Sequence, residues 1–179
     1  FAAVLAAGDY PDGFPRRATV ALDPDARLLV ADLELPGLDV CPAVQSYRYD
    51  AGIDRFEEIP RQASRRKDLY ELVVASAALR SVRELFDADR GRVVDQVALN
   101  GYVHGVERAT GEAVRPYLVS LRASREEFRL LDIQRTDPIV SIHTMEAAFS
   151  SNPADLAPVK EVVGVKSVGA RFLASSPEV

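Results

Sequence analysis

The chain is short of the residues that staple or metallate small proteins: 179 residues hold one cysteine, Cys41, and two histidines, His104 and His143. A lone cysteine forms no internal disulfide, and no cysteine or histidine cluster has ligand spacing. The composition therefore predicts a reducing, cytoplasmic setting and no structural zinc, other metal or cofactor. No run of about 18 apolar residues occurs, which excludes a membrane-spanning helix on bilayer thickness. Lysine is scarce as well: of the 22 basic residues only three are lysine, a bias that reads as codon usage rather than as selection for bidentate phosphate contacts. There is no GxSxG, no P-loop and no GxGxxG. His104 and His143 fall on different elements far apart in sequence, and Cys41 precedes Pro42 with no base beside it, so it reads as a buried thiol. These absences leave no catalytic residue to assign.

What is present is enough for one core. With 47% hydrophobic side chains in 179 residues, a single domain is expected. Residues 1–15 read as the tail of a helix followed by a loop. The start at Phe1 lacks the basic segment of a signal peptide, so it reads as the cut end of a longer chain. Residues 16–165 read as one α+β domain, and 166–179 as an extension or linker. The formal net charge of −5 argues against a surface that coats nucleic acid throughout. A local patch remains: between Arg61 and Arg92, eight basic residues face five acids. Within it Arg61, Arg65, Arg66 and Lys67 form the densest group. Such a run is either a solvated face or a contact for DNA phosphates.

The periodicity predicts antiparallel hairpins around a long helix. "ATVALDPDARLLVADLELP" alternates apolar residues about an Asp23-Pro24-Asp25 turn, and "VQSYRYDAGIDRFEEIPR" reads as a second, more polar hairpin about Ala51-Gly52. In "SRRKDLYELVVASAALRSVRELFDADRG" the positions Leu72, Ala75, Leu79, Val82 and Phe86 recur at three and four, with Ser64 as cap and Gly91 as stop. Ser124-x-x-Glu127 is a capping box for a short helix through Leu131. Asp137 and Pro138 open a further helix with Ile139, Ile142, Met145 and Phe149 on one face, and "APVKEVVGVKSV" suggests one more strand.

Between the long helix and the capping box stands "VVDQVALNGYVHGVERATGEAVRPYLVSLRAS", a hairpin. Helix, strand, turn, strand is how metal-dependent nucleases of the PD-(D/E)xK kind build their active site, with an acid on the first strand and an acid-x-lysine on the second. The odd positions of both strands are apolar, which predicts a turn of odd length, such as Ala109-Thr110-Gly111, and opposes Leu99 to Leu121 and Asn100 to Ser120. Arg122 then lies beside Ala98, while Asp95 lies on the other face. Carboxylates on two faces of a sheet do not converge on one ion. At the place of the acid-x-lysine stands Ser120-Leu121-Arg122, with no carboxylate and an arginine too basic to carry protons. Glu71 and Glu84 on the helix read as surface glutamates. The unit is thus expected to resemble a degenerate PD-(D/E)xK-like core.

Residues 69–162, from "LYELVVASAALRSV" to "DLAPVKEV", resemble the region that precedes the nuclease domain in bacterial Mrr-like restriction endonucleases. "YPDGFPRRATVALDPDARLLVADLELP" and "PAVQSYRYDAGIDRFEEIPR" resemble the same region, so the likeness covers almost the whole chain. Its most specific phrases are "NGYV", "ATGEAVRPYLVSLRAS" and "DPIVSIHTM". In that family a helical, coiled-coil segment precedes this module and the catalytic domain follows it. The resemblance implies a setting in DNA restriction, but the family's catalytic residues have no matching positions here, so its activity is not carried over. The expected role is that of a non-catalytic accessory domain positioning DNA, a partner chain or a following nuclease. The alternatives are a degenerate metal-dependent nuclease and an oligomerisation module. The expected nucleic-acid contacts are Arg61, Arg65, Arg66, Lys67 and Arg122. The expected partners are double-stranded DNA, held weakly, further copies of the chain, and adjoining helical and nuclease domains; no membrane partner is expected.

Overall fold

A computed structural model describes residues 1–8, 10–11, 13–168 and 172–175. The elements run α1 (Ala2–Ala6), β1 (Ala18–Asp23), β2 (Leu28–Glu34), β3 (Val44–Asp50), β4 (Arg55–Pro60), α2 (Ala63–Ala88), β5 (Gln96–Tyr102), β6 (Gly105–Val106), β7 (Ala113–Val114), β8 (Tyr117–Ser124), α3 (Arg125–Arg129), α4 (Pro138–His143), β9 (Glu146–Phe149) and β10 (Phe172–Ser175). Six strands form one sheet in the order β10-β1-β2-β5-β8-β9, and β3–β4 and β6–β7 are separate two-stranded ribbons. The fold class is α+β. Both long hairpins form as the alternation predicts. Yet the sheet is mixed, because β2 and β5 run parallel, with Asp32 beside Asn100 and Glu34 beside Tyr102. A parallel pair needs a crossover, and α2 supplies it.

Both faces of the sheet are covered. On one, α2 presents Val74, Ala75, Ala78, Leu79, Val82 and Leu85 to Leu29, Ala31, Val97, Leu99, Val119 and Leu121. On the other, Val165 and Val168 pack on Ala21, Leu28, Val30 and Ala98. The segment from 158 to 168 crosses this second face without forming the strand suggested for it. Its backbone donors go instead to single acceptors, Val159 N–H to the Tyr117 carbonyl and Val162 N–H to the Ser120 hydroxyl. The fold also draws on residues beyond 165, where a linker is suggested: Val168 is buried and β10 pairs antiparallel with β1.

The long helix begins and ends earlier than its expected signals. The chain turns out of β4 straight into it, so Gln62 and not Ser64 is the N-cap, and Asp89 rather than Gly91 terminates it. Leu72, expected in the apolar stripe, is 38% exposed. The buried stripe is centred on Val74 and Ala78, and Leu72 is rotated roughly 200° from Val74 at 100° per residue. The capping box closes as expected, with the Ser124 hydroxyl accepting from Glu127 N–H, and Asp137 caps α4. But α3 stops at Arg129, and α4 stops at His143. Residues 146–149 then complete the open edge of β8 as a strand, so Met145 and Phe149 are not on the helix. Val93 precedes the strand and is 48% exposed.

The hairpin register follows the expected facing along the strands and departs from it at the tip. Leu99 opposes Leu121 and Asn100 opposes Ser120, as expected. The tip, however, is a four-residue turn, Arg108 to Gly111, inside a Glu107–Glu112 backbone pair, with Gly111 at φ +74°. A register shift between Gly101 and Tyr102 absorbs the extra residue, so an even turn coexists with the expected facing. At that bend a Cβ on Gly101 would stand 2.5 Å from the Leu35 side chain and 2.7 Å from that of Val119.

Candidate docking surface

Where β2, β5 and β8 lie side by side, Asp32, Asn100 and Ser120 form a hydrogen-bond network. Asn100 and Ser120 are fully buried. The Asn100 amide donates to Asp32 Oδ1 at 2.9 Å and to the Val163 carbonyl at 2.9 Å, and its oxygen accepts from the Ser120 hydroxyl at 2.7 Å. Ser120 in turn accepts from Val162 N–H at 2.8 Å, and the Tyr117 hydroxyl donates to Asp32 Oδ2 at 2.9 Å. Burial, then the bond to Asp32, pushes the Tyr117 hydroxyl pKa up. Two of these bonds, Asn100 to the Val163 carbonyl and Val162 N–H to Ser120, hold the 158–168 segment to the sheet, and the others tie β2, β5 and β8 to one another. Asp95 is remote: it lies about five residues, or ~16 Å of strand, from Asn100. There it makes an exposed bidentate pair with Arg27, at 2.5 and 3.0 Å, which lowers the Asp95 pKa. Among the described residues, no three His, Cys, Asp or Glu side chains gather as metal ligands do. Likewise, no described helix is long and apolar enough to cross a membrane.

The basic residues singled out in sequence do not form one surface. Arg66 is partly buried and donates to the carbonyls of Cys41, at 2.7 Å, and Leu38, at 3.1 Å. Arg61 donates to the Pro42 carbonyl at 3.1 Å, and its own N–H bonds the Ala43 carbonyl. Lys67 pairs with Asp155 at 2.6 Å. Arg65 is exposed and lines a shallow cavity with Arg61, Gln45, Asp68, Leu69 and Leu72. Arg122 lies elsewhere, opposite Ala98 on the sheet face turned away from α2, with its guanidinium on Gln96 Oε1. Arg61 and Arg66 thus fix the entry to the β3–β4 ribbon. Cys41 sits within this entry, fully buried, and burial pushes its thiol pKa up.

What Arg61 and Arg66 anchor was not singled out in sequence. Every residue from Gln45 to Tyr49 and from Ala51 to Phe56 is exposed. The antiparallel register sets Tyr47 opposite Glu58 and Tyr49 opposite Phe56, so these four share one face; Arg48 opposite Glu57 and Asp50 opposite Arg55 share the other. Tyr47 is 64%, Tyr49 53%, Phe56 71% and the tip residue Ile53 59% exposed. The Tyr49 and Phe56 rings lie 5.3 Å apart, and the Tyr49 hydroxyl donates to Asp54 at 2.5 Å. Single apolar residues on a surface are routine, but four large ones on one exposed ribbon make it a candidate contact surface. The signal was available as three aromatic residues, Tyr47, Tyr49 and Phe56, within ten residues of an otherwise polar hairpin. Beside the ribbon, the outer side of α2 continues from Leu72 into a second apolar pocket lined by Tyr10, Phe14, Val73 and Ala77. Comparisons with protein families, with characterised proteins and with solved structures gave no match.

Proposed function

We propose that this chain is a non-catalytic, cytoplasmic accessory domain of a restriction-endonuclease-type protein, Mrr-like in kind, which positions a partner chain, an adjoining nuclease domain or DNA. The observation that carries the non-catalytic part is the Asp32–Asn100–Ser120 network, in which a single carboxylate stands beside a buried amide and a buried hydroxyl. A divalent ion needs converging anionic oxygens, and here an amide and a hydroxyl stand at the facing positions with their hydrogen-bonding capacity spent inside the fold. Ser120-x-Arg122 offers neither the acid nor the titratable lysine of a nuclease strand. The positioning part rests on the exposed ribbon, held at its base by two arginines. Contact with double-stranded DNA, on this reading, runs chiefly through Arg65 to phosphates. It is weak and salt-sensitive, because Arg61, Arg66 and Lys67 are engaged within the fold and the chain carries a net charge of −5.

The test is supercoiled plasmid incubated with the purified chain and Mg²⁺ or Mn²⁺. The plasmid is expected to remain supercoiled. Metal-dependent nicking that disappears in Asp32→Asn would mean that the network does bind metal, and the reading would fail.

A further inference from the structure

We propose that the β3–β4 ribbon docks on a second copy of this chain, its Tyr47, Tyr49 and Phe56 face lying along the start of the other copy's α2. This rests on the positioning part of the function proposed above and names the partner. An isolated two-stranded ribbon is marginal in water, and its strands, about 20 Å long, gain little from the parent domain when most of their residues face solvent. The aromatic face is therefore a surface in want of cover, and three observations identify what covers it.

The first is charge. From residue 44 to 60 the ribbon carries two arginines, Arg48 and Arg55, against four acids, Asp50, Asp54, Glu57 and Glu58. Such a ribbon repels a polyanion and suits a basic surface. The start of α2 is one: Arg61 and the exposed Arg65 line the cavity there, against the single acid Asp68. Glu58, exposed on the aromatic face, is placed to meet Arg65 of the second copy. The second is apolar continuity. Leu72, 38% exposed, borders both that cavity and the pocket of Tyr10, Phe14 and Val73, so the helix offers an apolar strip behind the arginines.

The third is adjacency. Gln45, at the base of the ribbon, lines the same cavity as Arg65 and Leu72. Donor and receiving surfaces are thus neighbours on one protomer, which is what a two-fold interface requires: a single axis beside Gln45 lets each ribbon lie on the other copy's helix. Four large side chains at the exposures above offer on the order of 400–500 Å². A standard interface buries about 800 Å² per partner, so the ribbon alone supplies roughly half of one and the dimer is expected to be weak.

Sedimentation velocity of the whole chain over a concentration series tests this. A reversible dimer is expected in the micromolar range. Tyr49→Ser with Phe56→Ser should weaken it by about tenfold or more, while the circular dichroism of the core is unchanged. Arg65→Glu, which alters only an exposed side chain, should weaken it comparably, and adding Glu58→Arg should restore it. A wild-type chain that stays monomeric at its highest soluble concentration overturns the proposal. So does a dimer indifferent to both the ribbon variant and Arg65→Glu. Neither outcome touches the nicking assay, so failure of the dimer and failure of the non-catalytic reading are told apart.

Discussion

Asp89 makes one carboxylate serve three donors. Its side chain is 2% exposed and accepts from Val93 N–H at 3.1 Å, Val94 N–H at 2.9 Å and the Arg125 guanidinium at 2.5 Å. Arg125 also donates to the carbonyls of Phe86 and Val94 and lies 4.8 Å over the Phe86 ring, so the pair ties the end of α2 to the start of β5 and to α3. Removing Asp89 leaves the partly buried Arg125 guanidinium without its counter-ion and two backbone donors without partners. Asp89→Ala should therefore cost about 3–5 kcal/mol in denaturant unfolding. A loss below about 1 kcal/mol would show that water already screens the pair as it does at the surface. In sequence Asp89 is one acid among five in a charged stretch, and nothing local marks it. The same holds for Arg66 and Lys67. Read along the chain they extend a basic patch, whereas in the fold they complete the bonding of residues distant in sequence, the Leu38 and Cys41 carbonyls and Asp155. Charge is legible in a sequence; its partner, set by tertiary contacts, is not.

Elements were legible where the pattern was local and strong. The capping box at Ser124, the Asp137 cap, the two N-terminal hairpins and the helix of 63–88 all follow from short-range chemistry, and each is found. What failed were the margins of patterns. Leu72 shares the three-and-four spacing with Leu79 but lies outside the buried stripe, and residues 146–149 continue an apolar helical spacing yet serve as a strand because β8 has an open edge. This contrast is measurable. Leu79 is fully buried between α2 and the sheet, so Leu79→Ala should cost about 2–5 kcal/mol. Leu72→Ala, at an exposed position, should change the stability of the monomer by less than about 1 kcal/mol. Equal losses at the two sites would mean that α2 is rotated from the orientation described. The hairpin taught a related lesson: side-chain alternation fixed the facing of β5 and β8, but turn length did not follow from it, because the bulge at Gly101 breaks the count.

At the scale of the molecule, the decisive feature is that both faces of the sheet are covered. The parallel pairing of β2 with β5 arises from the long excursion through the ribbon and α2, and no local pattern announces it. Its consequence is that Asp32, Asn100 and Ser120 come together from three strands, with Asn100 and Ser120 sealed beneath residues 158–168. The lack of a carboxylate and a lysine at Ser120-x-Arg122 was readable from the sequence; the use made of Ser120, a polar clamp on a covering segment, required the fold. If that face is a structural seal, it offers a divalent ion no open ligands. Nuclear magnetic resonance of the labelled chain titrated with paramagnetic Mn²⁺ addresses this directly. The backbone amides of Asn100, Ser120 and Val162 and the Asn100 side-chain amide should keep their intensity while exposed carboxylates broaden non-specifically. Selective, saturable broadening centred on Asp32, Asn100 and Ser120 would place a metal site in the network and contradict the non-catalytic reading.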